Sequence, residues 1–429
     1  MIDIKLIRDD PDIIKGNLLK RNATELLPLV DEAIERDRRW RELKLKVDQL
    51  RHLHNKITEE IAELKRRNIP AEEKLSQARK IPEQIRSLEE EADREFYRVK
   101  QILMKLPNIL HETVPVGKDE NDNVTIRVWG EKPMFHFEPR DHIDVLKSLD
   151  LVDVERAAKI SGSRFFFLKG EAVKLEHALM RYAISILEKK GFTLLEPPFM
   201  MRKEPYEGVV DLSDFGPVIY KVENEDLYLI ATSEHPLVSM YMDEILNGSD
   251  LPLKYCGFSP CFRVEAGSHG KDTKGIFRTH QFYKVEQIIF SRPEESWDWH
   301  EKMISYAEEI FRGLGLHYRI VNVCTGDIGS VAAKKYDLEA WMPAQGRYRE
   351  MVSCSNCTDY QARRLRIRFR DKQSEQTRFV HTLNSTAITT SALVAVAENF
   401  QQEDGSIAIP KVLQPYMDGK ELIKASMGL

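Results

Sequence analysis

The sequence has little that would mark an exported or membrane-bound chain. Five cysteines in 429 residues are too few for a disulfide framework and point to a reducing, intracellular setting. No apolar run approaches the ~20 residues needed to span a bilayer. The first residues, Met1-Ile2-Asp3-Ile4-Lys5-Leu6-Ile7-Arg8-Asp9-Asp10, are mixed and acidic. They have neither the apolar core of a signal peptide nor the acid-poor composition of a transit peptide. A soluble, cytoplasmic protein with no membrane partner is expected. A large charge of one sign is also missing. A net charge of -5 excludes a chain that coats nucleic acid indiscriminately, so a nucleic-acid partner must be held by local basic patches. Cys354-x-x-Cys357 has no second ligand pair, so no structural zinc is expected.

What is abundant is charge. Charged residues make up 31% of the chain against roughly 25% in an average globular protein, and the excess has one location. Leu43, Val47, Leu50, His54, Ile57, Ile61 and Leu64 alternate steps of four and three, the seam of a coiled coil, with Lys, Arg, Glu and Asp between them. The seam traces back through Trp40, Ile34 and Val30. It breaks at Arg66-Arg67-Asn68-Ile69-Pro70, a turn signal. It resumes at Ala78, Ile81, Ile85, Leu88, Ala92, Val99, Ile102 and Leu106, with Glu95 as a polar interruption. Two such helices of about 35 residues predict an antiparallel hairpin reaching roughly 50 Å. Pro82 is expected to kink the second helix or to mark its true start. On pattern alone, such an arm is a spacer or a docking surface.

Pro107 ends the arm, and residues 108–123 read as a linker rich in Asp and Asn. Beyond it, short apolar strands (Leu227 to Ile230, Glu286 to Phe290) alternate with helical stretches such as Leu175 to Lys189. The whole reads as α+β.

Three segments of this body carry chemistry. Lys190-Gly191-Phe192-Thr193-Leu194-Leu195-Glu196-Pro197-Pro198 is a helix end, a strand and a proline. Cys261-Phe262-Arg263-Val264-Glu265-Ala266-Gly267, followed by Gly275 to Gln287, predicts two strands joined by a glycine-bearing loop. They place Arg263 and Glu265 on one strand and Phe282 and Glu286 on the other. Val380 to Ile388, continuing to Gln401, predicts a strand and a helix. Together they resemble motifs 1, 2 and 3 of class II aminoacyl-tRNA synthetases, and motif 2 is similar to that of the seryl-tRNA synthetases. Two more segments point to that branch: Ala231-Thr232-Ser233-Glu234-His235, and Glu350-Met351-Val352-Ser353-Cys354-Ser355-Asn356-Cys357.

The resemblance implies a class II catalytic domain, an antiparallel β-sheet flanked by helices, over residues 124–429. It makes residues 1–107 a tRNA-binding domain that carries the arm. It implies ATP-dependent activation of L-serine and its transfer to tRNA(Ser), with tRNA(Sec) charged by the same family. The reaction begins with in-line attack of the serine carboxylate on the α-phosphate, where an arginine offsets the charge that builds up. Arg263 matches that position. Phe282 matches the ring that stacks on adenine, Glu265 the group at its far end, and Arg278 the contact to the outer phosphates. Val264, Thr279, Met351, Val352 and Ser353 fall within the ATP-binding segments, with Glu350 as Mg²⁺ ligand. Thr232, Glu234, Arg263, Glu286 and Thr386 match the serine site. The arm would lie on the long variable arm of tRNA, reading shape and backbone, with Lys65, Arg66, Arg67 and Lys74 as candidate phosphate contacts. A homodimer is implied.

One departure stands out. The family's motif 3 has an arginine at the start of its helix, on the outer phosphates. Here the stretch is Thr389-Thr390-Ser391-Ala392-Leu393-Val394. Counting forward from Asn384 puts Ala392 at that position. Counting back from Glu398 suggests a residue lost between Ser391 and Ala392. Such a contact is worth ~2–4 kcal/mol to a transition state, or roughly two to three decades in rate. Weakened or lost serine activation is therefore the expectation. The alternative to an active enzyme is an impaired paralogue or variant that keeps the fold and tRNA binding.

Overall fold

Two units divide the chain, Met1–Ile109 and Leu110–Leu429, in a computed structural model that describes residues 1–211, 216–265 and 275–425. Ala266 and Gly267 of the second motif lie outside the described residues.

The first unit is helical: α1 (Ile4–Asp9), α2 (Pro11–Lys20), α3 (Leu27–Arg66) and α4 (Glu72–Lys105). Asp10 and Pro11 split the first helical stretch in two, because a residue before proline resists the helical conformation. The ion pairs Arg39–Glu91, Arg51–Glu89 and Lys74–Glu60 ascend α3 while descending α4, so the hairpin is antiparallel as expected. Leu43, Val47, Ile57 and Ile61 are buried on α3, and Ile81, Ala92, Val99 and Ile102 on α4.

Towards the base the seam departs from expectation. Ala33 and Asp37 are buried there, while Ile34 and Trp40 are only partly so. Asp37 is tolerated inside because Arg8 of α1 donates to it at 2.6 Å and Arg41 at 2.9 Å. Glu95 is buried against Arg36 at 2.9 Å, and a polar residue in a seam fixes register. Pro82 does not mark the start of α4, which begins at Glu72 with Pro82 inside it.

The second unit is built on an eight-stranded sheet. Its strands are β1 (Val124–Trp129), β2 (Thr193–Leu195), β3 (Leu253–Phe262), β4 (Gln281–Ser291), β5 (Tyr318–Asn322), β6 (Lys334–Met342), β7 (Arg347–Asn356) and β8 (His381–Thr389). The order is β1-β5-β6-β7-β8-β4-β3-β2, and only the β2–β3 pairing is parallel. One face carries α5 (Glu171–Lys189), α6 (Ser296–Leu314) and α7 (Ser391–Asn399). Val285, Ile289, Val352, Leu383 and Ile388 pack beneath these helices. The linker stretch folds onto this unit: Leu110 and Val114 are buried with Val321 and Val323, and Thr325 N–H donates to Pro115 O at 2.9 Å. No described helix is long and apolar enough to cross a membrane.

Candidate active site

Alternation along a strand puts every second side chain on the sheet's other face, and residues directly opposite on neighbouring strands share a face. Register therefore decides which motif residues can meet. Glu286 on β4 lies opposite Gly257 on β3 and Thr386 on β8. Phe282 and Lys284 share the face of Glu286. Asn384 shares that of Thr386 and lies opposite Ser355 of β7. Further along, Ser353 pairs with Asp337, and Glu350 with Glu339. The face away from the helices is thus a row of polar groups, with Arg319 at its far end opposite Glu339.

Two bulges hold that row together. Between β8 and β4 the register slips so that Ala387 is supernumerary, and between β6 and β7 Met351 is. Without them Thr389 and Glu350 would turn towards the helices. Ala387 with Ile388, and Met351 with Val352, instead point side by side into the apolar core. The side chains of Met351 and Val352 are therefore unavailable to a nucleotide, and only their main chain is.

The serine-branch loop lies flat on β3 because Gly257 has no side chain. A Cβ there would stand 2.4 Å from Leu237 and 2.7 Å from the Ser233 hydroxyl. Phe262 N–H donates to Ile230 O at 2.9 Å, and Ala231 N–H to the Tyr206 hydroxyl at 3.2 Å, which pins the approach to Thr232. Glu234 reaches the floor, where Asn384 Nδ2 donates to its Oε1 at 3.0 Å and Gln361 Nε2 at 3.1 Å. Thr386 Oγ1 lies 3.4 Å from Glu286 Oε2, and Lys284 forms an ion pair with the same carboxylate. Thr232, Lys284, Glu286 and Thr386 are all buried. Burial raises the pKa of Glu234 to about 7, with the charge of Glu286 adding to the rise. Burial also raises Glu286, opposed by Lys284.

Arg263 follows the last residue of β3. Its main chain extends the ladder to His280 O at 2.9 Å, and its guanidinium lies 5.1 Å from the centre of the Phe282 ring. Arg278 and Glu265 form an ion pair with each other, so a ligand that takes both must part them. Glu265 holds a left-handed backbone, φ 54°, a sparsely populated conformation for a residue with a side chain. Val264 N–H is bonded to Val218 O, and the buried Thr279 hydroxyl to Gln281 O. The 275–278 segment is clamped from below: Ile276 N–H donates to His142 Nε2 at 3.2 Å, and His142 Nδ1 meets Glu398 Oε1 of α7 at 2.9 Å. Arg349 of β7 lies over the Phe277 ring at 3.8 Å.

Glu350 is exposed on the polar row, and its carboxylate has no hydrogen-bonded partner among the described residues. The buried Asp337 beside it is pushed up to about 8 by burial, against the pull of Lys335. Ala392 is buried in the core, so the first turn of α7 sends no cation to the row. α7 is buried from Ala392 to Glu398. Cys354 and Cys357 are separately engaged: Cys354 donates towards His300 O, and Cys357 accepts from Asn384 Nδ2 at 3.6 Å. At the arm's tip, Lys65 and Arg66 are exposed, while Arg67 is paired with Glu63 at 2.7 Å and Lys74 with Glu60.

A model of the seryl-tRNA synthetase N-terminal domain matches residues 1–110, and a model of the class II tRNA synthetase core domain (G, H, P, S and T) matches residues 220–400. The serine–tRNA ligase of Thermococcus onnurineus is 52% identical over 448 residues, covering 100% of this chain and 98% of that one. The chain belongs to the seryl-tRNA synthetases. As a seryl-tRNA synthetase it is a serine–tRNA ligase, and nothing among its likenesses favours an impaired member. The crystal structure of the Pyrococcus horikoshii seryl-tRNA synthetase complexed with ATP superposes with TM-score 0.95 at 52% identity, over 99% of this chain and 100% of that one. The cytoplasmic serine–tRNA ligase of Naegleria fowleri in complex with AMP gives TM-score 0.90 at 36% identity, over 99% of each chain.

Lys284, Asn384 and Gln361 were not singled out by the motifs. Lys284 shares its alternation with Phe282 and Glu286, and Asn384 with Thr386, and that parity was the available signal. Gln361 comes from the short helix Tyr360–Leu365 and gave none.

Proposed function

We propose that this synthetase activates L-serine with ATP on the polar face of its sheet and then charges tRNA(Ser), with the residue roles that follow. Thr232, Glu234, Glu286 and Thr386 enclose the serine ammonium and hydroxyl. The serine carboxylate attacks the α-phosphorus, pyrophosphate leaves, and Arg263 offsets the charge on the transferring phosphate. Phe282 stacks on adenine with Glu265 at its edge, and Arg278 takes the outer phosphates. A 3′-terminal tRNA hydroxyl then displaces AMP from the seryl-adenylate. The observation that carries this reading is the register that sets Glu286, Thr386 and Asn384 on one face, with Arg263 against Phe282 at its end.

Mg²⁺ fits the exposed carboxylate of Glu350 and the half-buried hydroxyl of Ser353, hard oxygen donors on the polar row. Bound there it would neutralise phosphate charge. The arm meets the tRNA backbone through Lys65, Arg66, Arg67 and Lys74, the last two after leaving their glutamates. The enzyme works as a homodimer in the cytoplasm, a reducing setting that suits its five buried cysteines, none of them in a disulfide.

Serine-dependent ATP–pyrophosphate exchange tests the site. The unaltered chain is expected to show it, Arg263→Ala to lose it by roughly two to three decades, and Phe282→Ala to raise the KM for ATP. Full exchange by Arg263→Ala would overturn the assignment.

A further inference from the structure

Lys284 is a buried cation on the cleft floor, and no motif gave it a role. It pairs with Glu286, and its charge bears on Glu234, His235 and Cys261 as well. Lys284 shares the cleft-side face of β4 with Phe282 and Glu286, so its amine lies on the side of the sheet that carries the serine residues. Arg263 bears on the same four residues. The floor thus combines two carboxylates, Glu234 and Glu286, with two cations, Lys284 and Arg263. That charge set is complementary to a zwitterion.

From the juxtaposition of Lys284 and Glu286 we infer that Lys284 binds the carboxylate of the amino-acid substrate and is a specificity-determining residue for α-amino acids. The inference rests on the reading of this cleft as the serine site. If Glu286 takes the substrate's ammonium, Lys284 loses its partner, and a buried ammonium without a counter-ion is costly. The substrate supplies the replacement, because its carboxylate is joined to the same carbon as its amine. One internal pair becomes two intermolecular pairs with no net charge left over. Lys284 and Glu286 satisfy each other, each standing in for one end of an amino acid. Side chains two apart on one strand project side by side, the separation one amino acid can bridge.

The test compares serine with serinamide, which keeps the ammonium and hydroxyl but has no carboxylate. Binding of each is measured by calorimetry on the full-length protein, so the outcome does not depend on turnover. In Lys284→Met, serine is expected to bind roughly tenfold to a hundredfold more weakly, the usual scale of a charge-assisted contact. Serinamide should bind as well as to the unaltered protein or more tightly, because Glu286 is released from its internal competitor. Lys284→Gln, which keeps a donor for Glu286 but not the charge, is the second variant in case the first fails to fold; serine should weaken on the same scale and serinamide bind as it does to the unaltered protein. Equal weakening of both ligands, or serine binding within twofold of the unaltered protein, would overturn the role of Lys284. Failure of the unaltered protein to bind serine at all would instead overturn the reading of the cleft.

Discussion

The hydroxyl of Thr386 lies 3.4 Å from Oε2 of Glu286, on residues directly opposite each other in antiparallel β8 and β4. Both are buried, so a ligand entering here finds a donor and an acceptor already oriented. Glu286→Gln keeps the shape and removes the charge. It should lower kcat/KM for serine by roughly one to two decades, with the KM for ATP within about threefold. Pyrophosphate exchange at varied serine and varied ATP separates the two.

Glu234 should make serine binding depend on pH. Its pKa, raised to about 7 by burial, leaves it largely protonated at pH 6 and largely ionised at pH 8. An ammonium favours the ionised form, so the serine KM should fall as pH rises across that window. Binding near pH 7 should release about half a proton, as expected for a group near its midpoint, detected by calorimetry in buffers of different ionisation enthalpy. For stability the sign is opposite. The folded pKa exceeds the ordinary 4.5, so this carboxyl's contribution is full below that value and is lost as pH rises through about 7. Glu234→Gln should flatten both dependences.

Inserting an arginine between Ser391 and Ala392 should raise the exchange rate roughly tenfold or more. The first turn of α7 contributes no cation now, since Ala392 is buried in the core. An unchanged rate would refute the account of the gap in motif 3.

Replacing residues 30–106 with a short loop should abolish tRNA charging and leave serine-dependent exchange within about threefold, because the residues of the polar row all belong to the second unit. Charging assays with tRNA(Ser) beside exchange assays give the comparison. Undiminished charging would refute the arm's role.

How far the sequence could be read depended on whether the determining partners were local. The α3–α4 hairpin was legible because Leu43, Val47, Ile57 and Ile61 repeat along one helix. At its base the seam was mistraced, because the burial of Asp37 is decided by Arg8, on another helix. In the cleft, Arg263, Glu286 and Thr386 were legible as motif members. Asn384, apart from its parity with Thr386, and Gln361 were not, since the carboxylate of Glu234 that each holds is brought to them by the fold. The mutual pairing of Arg278 and Glu265 was hidden for the same reason.

The supernumerary residues Ala387 and Met351 make the cleft a matter of odd and even counting. A deletion inside β8 or β7 would exchange oily for polar side chains from that point on, a more drastic change than most replacements of kind. Thr389 is the last paired position of β8, so from Thr390 onward the parity of the strand no longer decides which way a side chain faces. An insertion there would leave the polar row in register, whereas one inside the strand would invert it.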